Sequence, residues 1–419
     1  MKKLLSVIAV LIIVGCTHSQ QCATQDVHQY KMGYDEQYHA GILQSQSLAH
    51  QWRLQHPADD EQRALLLTIP VVVHVLYKDS LQNISDAQIQ SQLDVLNRDY
   101  RALNNIVLPP YFDSIQADIE IEFCLASLDP QGNYTPGITR TSTTGGTFLG
   151  FFNPFSEDAK FDSLGGKDAW PTDEYLNLWV CDLFPGLLGY AQFPGGVANT
   201  DGVVITTTAF GTVGNVDPLA SGGRTAVHEI GHWLGLRHIW GDDSDCTGSD
   251  TIPDTPNSSS ASQQDCNTTL NSCANEDSFW GAFDPTDMVQ NYMDYSNDTC
   301  MGMFTKGQKT RMLSFLYGDP SRNALFSSPA GCGVLSSESF YDVYAAIFPN
   351  PASDVLFIKW NHSSMANIQI MNLNGQVLSQ LNDKESGSSI NLHELSTGIY
   401  LAKLYFDNGS TSTLKFIKQ

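Results

Sequence analysis

Apolar positions along the chain fall into distinct periodicities, and each predicts a different element. Ile69-Pro70-Val71-Val72-Val73-His74-Val75-Leu76-Tyr77 is a β-branched run bounded by turn-formers, the signature of a buried strand. Ile89, Leu93, Leu96 and Tyr100 then recur at helical spacing. Ser85-Asp86-Ala87-Gln88 precedes them as a capping box, and Ile84 and Ile89 stand where a hydrophobic staple would place them. Further strands are predicted at Ile119–Leu125, Leu176–Leu183 and Gly202–Thr207, so strands and helices alternate as in an α/β domain over roughly residues 64 to 225. A helix follows from about Arg224 to Leu234, then a loop-rich stretch from Gly241 to Asp298, then a helix over Thr305–Leu316. Beyond Cys332 the pattern changes to short alternating strands with turn signals at Asn374-Gly375 and Asn408-Gly409, which predicts a small all-β domain. No repeat of solenoid period is present.

A length of 419 residues implies two or three folded units plus processed segments. The formal net charge of -23 disfavours nucleic acid or an anionic membrane as partner and suits calcium and basic peptides. At the N-terminus, Met1-Lys2-Lys3 and the apolar run Leu4 to Val14 form the charged and hydrophobic parts of an export signal, too short to span a bilayer. The polar, Gln- and His-rich stretch up to about Arg63 reads as a prosegment or linker. Nine cysteines in an exported chain predict disulfides. Cys246, Cys266, Cys273 and Cys300 cluster in the loop-rich stretch, where two bridges would staple a segment with little core; spacing leaves all three pairings open, and Cys124, Cys181 and Cys332 unassigned.

The chemistry concentrates in His228, Glu229, His232, Gly235 and His238. On a helix, His228 and His232 project from one face, Gly235 lets the chain turn out of the helix, and His238 swings in as a third ligand. Three protein ligands with one position left for water make a catalytic rather than a structural zinc site. Zinc would acidify that water and polarise a peptide carbonyl, and Glu229, beside the site but not a ligand, would act as general base. The five-residue extended signature arises by accident in on the order of one chain in 10⁵ of this length. An adhesin keeping a structural zinc, and an amidase acting on cell-wall or small amides, are the rival classes.

Residues 69 to 316 resemble the pappalysins, a branch of the metzincin metallopeptidases. The resemblance rests on Gly223 to Asp242, on Asn291-Tyr292-Met293-Asp294-Tyr295, and on Cys300-Met301 with Phe304-Thr305. It implies a two-lobed α/β catalytic domain with a mixed, twisted sheet, a zinc-binding helix and a cleft between the lobes. It also implies that Met293 is a Met-turn residue flooring the metal, and that Tyr295 donates to the oxyanion. Asp298 matches the place of a carboxylate that favours Arg or Lys just after the scissile bond. The same resemblance pairs Cys246 with Cys273 and Cys266 with Cys300, and places calcium among Asp250, Asp254 and Thr255. Cys22 matches a zymogen cysteine whose thiolate caps the zinc, with Ala23 where the usual motif has Gly; Arg53 and Arg63 are candidate activation cuts.

Both ends carry export marks. Ile13-Val14-Gly15-Cys16 resembles a lipobox that would lipidate Cys16, the one membrane contact expected; ordinary signal cleavage is the alternative. From Ala345 the chain resembles the immunoglobulin-like sorting domains of the type IX secretion system, on Phe348-Pro349-Asn350-Pro351, Gly375, Gly398-Ile399-Tyr400 and the Lys415–Gln419 tail. The expected layout is a signal over 1–16, a prosegment over 17–63, the catalytic domain over 64–332, and linker plus sorting domain over 333–419. Such a protein is secreted or surface-bound in a Gram-negative bacterium and acts on protein or peptide substrates.

Overall fold

A computed structural model describes residues 21–56, 66–144, 147–148, 156–263, 266–275, 279–332, 345–360, 366–372, 376–406 and 411–419. The export signal with Cys16, Arg63, and the turns at Asn374-Gly375 and Asn408-Gly409 lie outside the described residues. The chain divides into two compact units, Met1–Gly333 and Val334–Gln419.

The first unit is built on a seven-stranded mixed sheet. Its strands are β1 (Gln21–Cys22), β2 (Leu67–Tyr77), β3 (Ile121–Leu125), β4 (Ile138–Ser142), β5 (Leu176–Cys181), β6 (Leu187–Ala191) and β7 (Val203–Thr206). β2 is central and runs parallel to β3, β4 and β5, and β5 parallel to β7. The β-branched run around Val71 and Val73 is therefore covered on both faces, which is what a parallel sheet requires. Next to β7 lies the antiparallel β6, whose outer edge carries the two-residue β1 in parallel.

Helices α1 (Thr24–Tyr34) and α2 (Glu36–Gln55) follow β1; α3 (Asp86–Tyr100), α4 (Arg224–Trp233) and α5 (Lys306–Gly318) complete the set used below. α3 buries Ile89, Leu93, Leu96 and Tyr100, the stripe read from the sequence, in the main core together with Ile84. Its capping box is only half formed. Ser85 caps Gln88 N–H, but the Gln88 side-chain amide turns away to the carbonyls of Thr207 and Phe210. The complete box is at α5, where Thr305 and Gln308 satisfy each other's backbone.

Periodicity did not reveal β1, β4 or β6. β4 is half-exposed and β6 begins half-exposed beside glycines, so neither shows an apolar run. The stretch up to residue 56, read as a polar prosegment or linker, forms β1 and two helices whose own apolar faces are slight; α2 is held by packing against α5, with Trp52 stacked on Tyr317 and Arg53 donating to Ser314 at 2.8 Å. Disulfides join Cys246 to Cys273 and Cys266 to Cys300. Cys124 pairs with Cys332, which ties β3 to the end of the unit, and Cys181 is buried and free.

The second unit is all β. A four-stranded antiparallel sheet is made of β10 (Ala366–Asn372), β11 (Val377–Lys384), β13 (Gly398–Phe406) and β14 (Thr411–Lys418). A three-stranded one is made of β8 (Ala345–Phe348), β9 (Val355–Trp360) and β12 (Ser389–Asn391). Leu356, Ile358 and Trp360 from one sheet share a core with Ile368, Ile370, Leu404 and Phe416 from the other, so the two form a sandwich.

Candidate active site

α4 is buried along its whole length. It starts at Gly223, which sits at φ 70, and ends at Gly235, at φ 91, a left-handed exit where a Cβ would run into the Phe315 ring. Gly235 N–H donates to His232 O at 2.8 Å and Leu236 N–H to Gly231 O at 2.9 Å, so the chain reverses within one turn and brings His238 back beside the helix.

The three imidazoles then converge. The Nε2 atoms stand 3.2 Å apart for His228 and His238, and 3.1 Å for His232 with each of the others. Each Nδ1 faces outward to an oxygen: His228 to Tyr292 O at 2.7 Å, His232 to Leu236 O at 2.8 Å, and His238 to the Asp242 carboxylate. A carbonyl oxygen only accepts, so the Nδ1 atoms of His228 and His232 carry the proton and their Nε2 atoms are bare. Burial, reinforced by the neighbouring imidazoles, lowers His228 to about 3 and holds His232 well below the usual range, which keeps both neutral. Bare nitrogens crowded this closely repel one another unless a cation lies between them. The donor set therefore fits the metal that such a signature implies.

Cys22 Sγ belongs to the same cluster, its ligand atom within 4.8 Å of the three histidine nitrogens. Glu229, buried one residue along α4, accepts from Thr24 Oγ1 at 2.9 Å and from Cys22 Sγ at 3.4 Å. Burial raises its carboxyl to about 8, against the pull of those two donors. Thr24 Oγ1 also accepts from Ala191 N–H at 2.8 Å, and Ala23 N–H donates to Gly189 O at 3.0 Å. The segment around Cys22 thus fills the open edge of β6 and reaches Glu229 as well as the histidines.

Met293 is fully buried beneath α4; a Cβ on Gly231 would come to 2.5 Å from its sulfur, so the glycine admits the thioether. Asn291 shapes the turn, accepting Met293 N–H at 2.9 Å and donating to Gln308 at 2.8 Å. Tyr295 packs its ring against His238 and Trp240 and donates its hydroxyl to Cys22 O at 3.3 Å. Asp298 is buried under Gly222; its Oδ2 accepts Arg224 N–H at 3.3 Å, and its Oδ1 has no partner among the described residues.

Of the expected calcium ligands, Asp250 and Thr255 stand together, and Asp254 turns to another element. Asp250 accepts from Thr255 Oγ1 at 2.8 Å and Ile252 N–H at 2.9 Å. Asp254 instead spends both oxygens on the start of α5, at Thr305 Oγ1 (2.7 Å) and Gly307 N–H (2.7 Å). Arg53, a candidate cut, is engaged with Ser314 in the last turn of α2, so cleavage there requires that turn to open. The sequence reading gave no role to Thr24, Trp240 or Asp242. All three stand within four residues of assigned positions, but only the fold shows what they touch.

A mixed sheet, a helix carrying two of three convergent histidines, and a methionine turn beneath them define a metallopeptidase of the metzincin kind. Comparison with known proteins places it further. The pregnancy-associated plasma protein-A family profile matches residues 161–317, and the secretion system C-terminal sorting domain profile matches 346–419. An extracellular metalloprotease of Pyricularia oryzae is 34% identical over 260 residues, 60% of this chain and 76% of that protein. Mature mirolysin of Tannerella forsythia with a cleaved peptide is 47% identical, covering 62% of this chain and 96% of that one at a TM-score of 0.55. A Tannerella forsythia promirolysin mutant is 42% identical, covering 72% and 95% at 0.59. The chain belongs to the pappalysin family of metalloendopeptidases and carries a C-terminal secretion sorting domain.

Proposed function

We propose that the chain is a secreted, latent zinc endopeptidase with His228, His232 and His238 as the metal ligands and Glu229 as general base. The carrying observation is the convergence of three Nε2 atoms whose rings are anchored by oxygens at Nδ1. Bound zinc would supply a Lewis acid that polarises the scissile carbonyl and acidifies water. Glu229 takes the proton from that water and delivers it to the leaving nitrogen. Tyr295 donates to the carbonyl oxygen as negative charge develops, and its hydroxyl already reaches a peptide carbonyl in this structure, that of Cys22. Met293 gives the histidines an apolar floor.

In the unprocessed chain, Cys22 completes a four-donor set, so latency follows from occupation of the water's place. The greater share of this chain covered by the pro form of mirolysin supports residues 17–63 as prosegment. For a preference for Arg or Lys after the scissile bond the support is the family resemblance at Asp298, a buried carboxylate that here accepts Arg224 N–H. For calcium at Asp250, Asp254 and Thr255 the support is the family resemblance, because the two carboxylates already accept protein donors and the Thr255 hydroxyl donates to Asp250. The sorting domain directs the protein to type IX machinery and the cell exterior.

The closed donor set also suits a structural zinc in a binding protein. Glu229→Ala, assayed on casein with zinc content measured in parallel, separates the two. Loss of proteolysis with zinc retained is expected; unchanged proteolysis would defeat the catalytic assignment.

A further inference from the structure

Resting on the zinc reading above, we infer that Asp242 is a positioning residue that orients and strengthens His238 as a metal ligand. His228 and His232 lean on backbone carbonyls, whereas His238 alone leans on a carboxylate. The contact is built by the loop. Gly241 N–H closes a turn onto His238 O at 3.0 Å, and Gly241 and Asp242 both take left-handed backbone, at φ 68 and φ 58. At Gly241 any Cβ would meet Ser249 N and the Gly248 backbone. A non-glycine residue held at positive φ is uncommon, and such strain persists where the surroundings enforce it, often at functional sites. Aspartate is among the residues that tolerate it.

The geometry turns the Asp242 side chain inward. The residue as a whole is exposed, yet its side chain is only 19% exposed, against the Nδ1 of a ring that is itself 1% exposed. On one face of that ring Trp240 stacks at 4.3 Å with an interplanar angle of 6°. His238 lies on a loop, where α4 cannot hold it, and these two side chains do for it what the helix does for His228 and His232. A carboxylate accepting from Nδ1–H selects the tautomer with Nε2 bare and increases electron density at that nitrogen, and loss of such a partner commonly lowers metal affinity 10- to 100-fold.

The test is zinc affinity by competition with a chromophoric chelator, in the full chain carrying Cys22→Ala and Glu229→Gln, so that the thiol cannot complete the donor set and the chain cannot digest itself. Asp242→Gly relaxes the backbone while removing the carboxylate, and is expected to weaken zinc about 10- to 100-fold without lowering the metal-free melting temperature. Asp242→Asn, which keeps an acceptor oxygen and tolerates the same φ, is expected to recover part of the loss. Asp243→Asn removes the adjacent charge and is expected to change nothing. Affinities within twofold of the parent for both Asp242 variants would overturn the inference while leaving the zinc reading intact. A loss confined to the Gly variant and accompanied by a collapsed metal-free fold would assign Asp242 to the loop instead. A parent that binds no zinc would sink both readings.

Discussion

Thr24 gives the sharpest test of how the unprocessed chain is held inactive. Its hydroxyl is fully buried, donates to Glu229 Oε2 at 2.9 Å and accepts from Ala191 N–H at 2.8 Å, so it joins Glu229 to the edge of β6 from within the segment proposed as prosegment. Thr24→Val keeps the shape and deletes both bonds. With its carboxyl raised to about 8, Glu229 is largely neutral near pH 7, so its hydrogen bond contributes about 0.5–1.5 kcal/mol, and a buried N–H left unpaired costs about 1–3 kcal/mol. In the opened state both groups can find water, so the difference falls on the closed state. A net weakening of about 3 kcal/mol corresponds to roughly a hundredfold larger open population. The assay is the initial rate of a quenched peptide substrate on freshly purified unprocessed chain, followed by the time course of self-processing. Thr24→Val is expected to shorten the lag and raise the initial rate at least tenfold, and Thr24→Ser to behave as the parent. Once the prosegment is gone the mature enzymes have the same sequence, so their activities must coincide. A lag within twofold of the parent would show that the histidine–thiol arrangement alone maintains latency.

Two further outcomes follow from the same geometry. Gly231→Ala places a methyl 2.5 Å from the Met293 sulfur, so a loss of about 1–3 kcal/mol is expected as a lowered melting temperature, relieved by Met293→Ala in the same chain. His28, in α1, lies between Tyr38 and Phe193 and is lowered to about 4, first by burial and then by Arg237. Docking that keeps this ring neutral is fully present above the unfolded value near 6.5 and is lost as pH falls towards 4, about 2 kcal/mol by pH 5. Hydrogen exchange over residues 24–34, corrected for intrinsic rates, is expected to lose protection between pH 7 and 5 in the parent and much less in His28→Gln.

Local pattern made the catalytic framework readable. The Val71–Val75 run, the Ile89–Tyr100 stripe and the histidine signature each encode an element through spacing alone, because burial on one face or two imposes a period on the residues themselves. Tertiary structure decided the contacts that have no period. β6 is short and glycine-bearing and gains its place only by pairing with β7 and β1, while α1 and α2 are stabilised by what they cover rather than by their own composition. Thr24 meets Glu229 across 205 positions of chain, and Asp242 meets His238 only because two residues adopt left-handed backbone. Periodicity records which side of an element faces the core; it carries no information about which distant hydroxyl or carboxylate the folded chain will deliver to a given ring.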